Sequence, residues 1–262
     1  MISPRRSLLA VVAVLLFAIS TPTPRAAAGS AGCGRGTIRS VAFPPMGATA
    51  VAGRIYLPPG YASSDDRRYP LLILLHGASA TDEQWADLGI APAADRLICA
   101  HRISPLLIAM PDGGRDVPPE IDHYVVATLL AWLDATYRVR PDATHRSIGG
   151  ISRGGGAALR IGAAHPELFA SVGAHSPAVN RSVADLSLGL ARLRGGVFID
   201  VGKSDGLAPT VVAFSRALVD ASVRNELHIW AGRHDRPYWR AHVDAYLRFY
   251  SDSWARPNKS QS

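Results

Sequence analysis

The sequence predicts an α/β domain with a mostly parallel central sheet and helices on both faces. Three observations carry this. The unbroken apolar runs Leu71-Leu-Ile-Leu-Leu75 and Pro105-Leu-Leu-Ile-Ala-Met110 are too short for helices and read as strands buried on both faces. Stretches with helical apolar spacing alternate with such runs, which implies parallel strands joined by right-handed crossovers. A chain of 262 residues, 48% hydrophobic and 19% charged, can build one domain with a large core.

Arg5 and Arg6 precede an apolar run from Leu8 to Ile19, followed by Thr21-Pro-Thr-Pro and Ala26-Ala27-Ala28-Gly29. This order reads as a secretory signal over residues 1–28, leaving one domain over 29–255 and a polar tail over 256–262. The run is shorter than the roughly 20 residues a bilayer span needs, so no stable membrane anchor is expected and the chain is read as secreted. Losing Arg5, Arg6 and Arg25, and no acid, takes the formal charge from +7 to +4. The remaining arginines are scattered without aromatic interleaving, which argues against nucleic-acid binding. Cys33 and Cys99 can pair in an oxidising compartment, and no Cys/His cluster has zinc-ligand spacing, so no metal is expected.

In chain order, residues 39–57 read as one or two antiparallel strands, and Leu71–Leu75 as the first buried parallel strand, ending in His76-Gly77-Ala78. Gly77 lets the next amide turn toward the strand end, so Ala78 N–H is a candidate oxyanion donor. His76 reads as structural. Ile90–Ala100 reads as a helix, Pro105–Met110 as a strand, Asp112 as a turn residue bordering the site, and Val125–Tyr137 as a helix. Phe169–Ala174 and Val197–Val201 are further strands. Only residues 176–196 separate them, too few for a large lid.

Between these lies Arg146-Ser-Ile-Gly-Gly-Ile-Ser152-Arg-Gly-Gly-Gly-Ala-Ala-Leu159, which reads as a strand, a sharp turn and a small-residue helix. A serine hydroxyl is a poor nucleophile until a base takes its proton. Glycines two before and two after Ser152 let strand and helix close on a strained turn that lifts the hydroxyl clear. The Arg153 amide is the second candidate oxyanion donor. Gly202-Lys-Ser204-Asp-Gly206 matches the same spacing, but no small-residue helix follows Ser204. Ser152 needs a histidine and an orienting acid later in the chain. Asp205 lies just past the Val197–Val201 strand, while Asp200 lies inside it and is the alternative. His234 sits in the loop after the strand Glu226–Trp230; His228 reads as a sheet residue and His242 as a solvated helix residue.

With these residues placed, residues 55–249 resemble the esterase D-like family of the α/β-hydrolase superfamily. The resemblance rests on Leu57-Pro-Pro-Gly-Tyr61, His76-Gly77, Trp85, Met110-Pro-Asp-Gly113 and Tyr137-Arg-Val139. It continues through Gly149-Gly-Ile-Ser152-Arg-Gly-Gly155, His165-Pro166 with Phe169, Ser176-Pro177, Asp205, and Gly232-x-His234 with Trp239. It implies an α/β-hydrolase fold, Ser152, Asp205 and His234 as a triad, Gly77 and Trp239 at the substrate site, and no cofactor. The expected activity is serine carboxylic-ester hydrolysis on an ester of a polar or carbohydrate-type alcohol, as in acetyl and feruloyl esterases. A mycolyltransferase-like acyltransferase and a non-catalytic binding module are the alternatives. Where the family often has Met, this chain has Arg153, which puts a cation near the pocket mouth.

Overall fold

The computed structural model describes residues 33–63, 66–114, 116–179 and 181–256. The expected signal segment and all of the polar tail but Arg256 lie outside them. Eight strands form one sheet in the order β1-β2-β4-β3-β5-β6-β7-β8. β1 (Thr37–Met46) and β2 (Thr49–Leu57) form an antiparallel hairpin, and β2 pairs antiparallel with β4 (Leu107–Pro111). From β4 onward the sheet is parallel, through β3 (Leu71–Leu75), β5 (Arg146–Ile151), β6 (Ser171–His175), β7 (Gly196–Gly202) and β8 (Asn225–Trp230).

The strand runs are apolar because both faces are covered. Every residue of β3, β4, β5, β6 and β7 is buried, and each large aliphatic among them contributes about 1.5–3 kcal/mol by leaving water. One face packs Trp85 of α1 (Glu83–Asp87) together with α2 (Ile90–Cys99) and the last helix. The other carries the segment from α3 (Glu120–His123) to α4 (Leu130–Thr136), then α5 (Arg153–Ala164), α6 (Val183–Leu190) and α7 (Ala208–Asp220). The last helix, α8 (Arg236–Ala255), starts with Pro237 in its first turn.

The expected continuous helix over 125–137 differs in detail, because Tyr124–Leu129 is a π-helical turn between α3 and α4. The turn widens within a segment whose Val125, Leu129, Leu130 and Leu133 are all buried against the core. Among the described residues, α6 is the one helix in the short β6–β7 connection. Cys33 and Cys99 form a disulfide that ties the segment before β1 to the end of α2. The Gly36 amide, three residues on, donates to Asp95 of α2 at 2.9 Å.

The strand order positions the site. From β3 the chain crosses to β4 on one side, then returns to β5 on the other, and such a reversal opens a crevice at the carboxyl ends of the strands. The register Leu75↔Gly150, Ile151↔His175 and His175↔Asp200 brings the ends of β3, β5, β6 and β7 level there.

Candidate active site

The centre is the turn from β5 into α5. Ser152 has φ +54° and ψ −115°, a conformation L-residues rarely adopt, and it leads directly into the first turn of a twelve-residue helix. The flanking glycines make this possible. A Cβ on Gly150 would meet the Gly154 carbonyl carbon at 2.3 Å, and a Cβ on Gly154 would meet the His76 carbonyl oxygen at 2.3 Å. Any side chain at either position collides with backbone. The Ser152 N–H donates to the His175 carbonyl at 2.9 Å, which fixes the turn to β6.

The Ser152 hydroxyl donates to His234 Nε2 at 3.0 Å, and His234 Nδ1–H donates to Asp205 Oδ2 at 2.7 Å. Asp205 holds the tautomer that leaves Nε2 free to accept the serine proton. The Asp205 side chain is buried while His234's is one-third exposed, so the acid is fixed and the imidazole faces solvent. The second oxygen of Asp205 accepts the Leu207 N–H at 2.8 Å. The two loops are laced together: Lys203 N–H donates to the Trp230 carbonyl at 2.7 Å and Ser204 N–H to the Gly232 carbonyl at 2.9 Å. Ser204, in the second glycine–serine match, is thus an exposed residue of the loop that presents Asp205. Asp200, the alternative acid, is wholly buried and bonds His175, Tyr238 and Tyr246 instead.

The candidate oxyanion donors are Ala78, in the segment that follows β3, and Arg153, at the start of α5. Gly77 N–H is occupied by Gln84 Oε1 at 2.7 Å, and the Gly77 carbonyl accepts His76 Nδ1–H at 2.7 Å. His76 Nε2 in turn accepts the Gly113 amide at 3.1 Å and lies 3.3 Å from Asp112. With its neighbour clamped on both sides, Ala78 is left exposed at the rim. The Arg153 amide is the first of α5, and a helix N-terminus favours negative charge beside it. Gly77 lies against Ser152, whose Cβ is 3.5 Å from where a Gly77 Cβ would stand. The Arg153 side chain is exposed and 3.5 Å from the Asp116 carboxylate.

The family model described as "Putative esterase" matches residues 48–250. This chain belongs to that esterase family. It is 32% identical over 160 residues to Esterase Rv1288 of Mycobacterium tuberculosis, covering 56% of this chain and 34% of that one. The chain thus spans about a third of the length of that curated relative. Among solved structures, a ferulic acid esterase superposes with a TM-score of 0.73 at 24% identity, over 84% of this chain and 99% of that one. A ferulic acid esterase from Anaeromyces mucronatus, in complex with ferulic acid, does so with a TM-score of 0.74 at 16% identity, over 86% and 94%. The fold is therefore that of the α/β-hydrolase esterases.

Within this esterase fold some side chains sit differently from expectation. His242 is not freely solvated: it stacks on Trp230 with ring centroids 3.9 Å apart, and burial lowers its pKa below the ordinary histidine value. Trp239 is only 6% exposed, its ring packs edge to face on His234 at 5.0 Å, and its indole N–H donates to Ser176 Oγ at 3.2 Å. Trp239 thus touches the imidazole directly. His228 stacks between Phe198 and Trp230 on β8, as a sheet residue does. The sequence does not point to Gln84 or to the pairing of His175 with Asp200, and the Ser176-Pro177 motif does not foretell the Ser176 bond to Trp239. His175, a polar residue closing a buried strand, was the one available signal. Among the described residues no group of three His, Cys, Asp or Glu side chains could hold a metal ion.

Proposed function

We propose that this chain is an exported serine carboxylic-ester hydrolase that cleaves esters of polar or carbohydrate-type alcohols through an acyl-enzyme on Ser152. The hydrogen-bond chain Asp205–His234–Ser152 carries the reading. His234 Nε2 takes the hydroxyl proton as Oγ attacks the ester carbonyl, and the Ala78 and Arg153 amides receive the developing oxyanion. His234 then gives the proton to the leaving alcohol. Water, deprotonated by the same nitrogen, releases the acid and restores the serine. Membership of the esterase family and the resemblance to structures of ferulic acid esterases support the ester and an aromatic acyl group. The apolar leader and the Cys33–Cys99 disulfide support export to an oxidising compartment.

The test is exposure of the folded protein to a fluorophosphonate with peptide mapping, run beside turnover of p-nitrophenyl acetate and methyl ferulate. The expected result is one adduct on Ser152, absent in His234→Ala, together with ester turnover. A folded protein that neither labels nor hydrolyses these esters overturns the proposal.

A further inference from the structure

A second carboxylate, Asp200, sits behind the site with no part in the chemistry above. It lies in β7, fully buried, and each of its oxygens is used. Oδ1 accepts His175 Nδ1–H at 2.7 Å; Oδ2 accepts the hydroxyls of Tyr238 at 2.8 Å and Tyr246 at 3.0 Å. His175 Nε2 meets the Tyr250 hydroxyl at 3.0 Å, and its ring stacks on Tyr246 at 3.7 Å. Burial, and then the Asp200 charge, push the Tyr238 and Tyr246 hydroxyls far above the ordinary tyrosine range, so they remain donors wherever the protein is folded.

What this cluster touches is informative. On one side the His175 carbonyl accepts the Ser152 N–H at 2.9 Å, so the residue that grips Asp200 also holds the elbow. On the other side Tyr238 lies in the first turn of α8, whose N-cap, Asp235, directly follows His234. Asp235 accepts the Tyr238 amide at 3.0 Å, and the Tyr238 ring is so close to Gly232 that a Cβ there would meet it at 2.6 Å. A third link runs through backbone. The Asp200 carbonyl accepts the Ser176 N–H at 2.8 Å, and the Ser176 hydroxyl accepts from Trp239, which packs on His234.

We propose that Asp200, His175 and Tyr238 are positioning residues that join the Ser152 turn to the His234 loop and set the distance between them. A buried carboxylate needs donors from wherever they can be recruited, and here they come from the two segments whose spacing the chemistry depends on. The inference rests on Ser152 and His234 being the reacting pair.

Two tyrosines on one oxygen give the test its control. Tyr238→Phe and Tyr246→Phe each remove one hydroxyl from Asp200 Oδ2, but only Tyr238 adjoins the His234 loop. With p-nitrophenyl acetate, Tyr238→Phe is expected to lower kcat about tenfold with KM unchanged, since small misplacements of a reacting group cost rate rather than binding. Tyr246→Phe is expected to lose similar thermal stability while keeping most of its kcat. Hydrogen exchange read on the peptide spanning residues 231–237 should quicken in Tyr238→Phe alone, and in His175→Phe on the peptide spanning 149–156. Unchanged exchange in both peptides overturns the proposal, as does a kcat loss that simply follows stability in both tyrosine variants. Because exchange does not require turnover, an inactive wild-type protein would undo the esterase reading while the brace is still decided.

Discussion

Gly150 and Gly154 meet backbone to backbone: a methyl group on Gly150 would lie 2.3 Å from the carbonyl carbon of Gly154. The strand that delivers Ser152 and the helix that leaves it are in contact at this point, with no room between them. Gly150→Ala should therefore cost about 3 kcal/mol of stability, as overpacking does, and reduce fluorophosphonate labelling of Ser152. Gly206→Ala is the control. It lies beside Asp205, and an added Cβ there meets nothing within 4 Å. Urea unfolding of the two variants checks this, and equal midpoints would mean the contact is not tight.

Asp205→Asn keeps an oxygen for the Leu207 amide but turns an N–H₂ toward His234 Nδ1. The imidazole is then driven to the wrong tautomer. The expected loss is about 10⁴-fold in kcat on an activated ester, with the melting temperature nearly kept. A loss of less than about tenfold would remove Asp205 from the orienting role.

The Cys33–Cys99 bond closes a loop with a sequence separation of 66 residues. Its chief effect is to narrow the unfolded ensemble, so Cys33→Ser with Cys99→Ser should lower unfolding free energy by about 4 kcal/mol. Dithiothreitol on the wild type should bring the two proteins' denaturation curves together.

His242 is held below its ordinary pKa near 6.5, chiefly by burial, with His228 acting in the same direction and Asp200 opposing. The unfolded chain then binds the proton more readily than the folded one. The His242 contribution is complete above pH 6.5 and is lost as pH falls from there toward the lowered value. His242→Phe preserves the stack on Trp230 and removes the titration, so its urea midpoint should fall less than the wild type's between pH 7 and 5. Parallel curves would refute the assignment.

Much of the architecture is legible in the residues. Leu71–Leu75 can be read as a doubly covered strand because nothing in it tolerates water, and the Ser152 turn is marked by glycines whose absence of side chains is structurally required. The order serine, acid, histidine selects Asp205 and His234 because both follow strands. What escapes the sequence is contact across it. Asp200 is an acid inside an apolar strand, and its three donors come from residues 25, 38 and 46 positions away. The Tyr124–Leu129 π turn is similarly hidden, since the apolar positions there fit an ordinary helix almost as well. Gln84 gives no signal beyond standing next to Trp85, because its task is to hold an amide seven residues back.

The short connection between β6 and β7 has a consequence for how an acylated form would live. A third of the His234 side chain is exposed and Ser152 is half-buried, so solvent reaches the same atoms that substrate does. Among the described residues that connection carries one helix, α6, and no flap there has to lift before a second reactant arrives. If Ser152 carries an acyl group, its fate is set by the concentration and reactivity of the hydroxyls, water's or a sugar's, that reach this open rim.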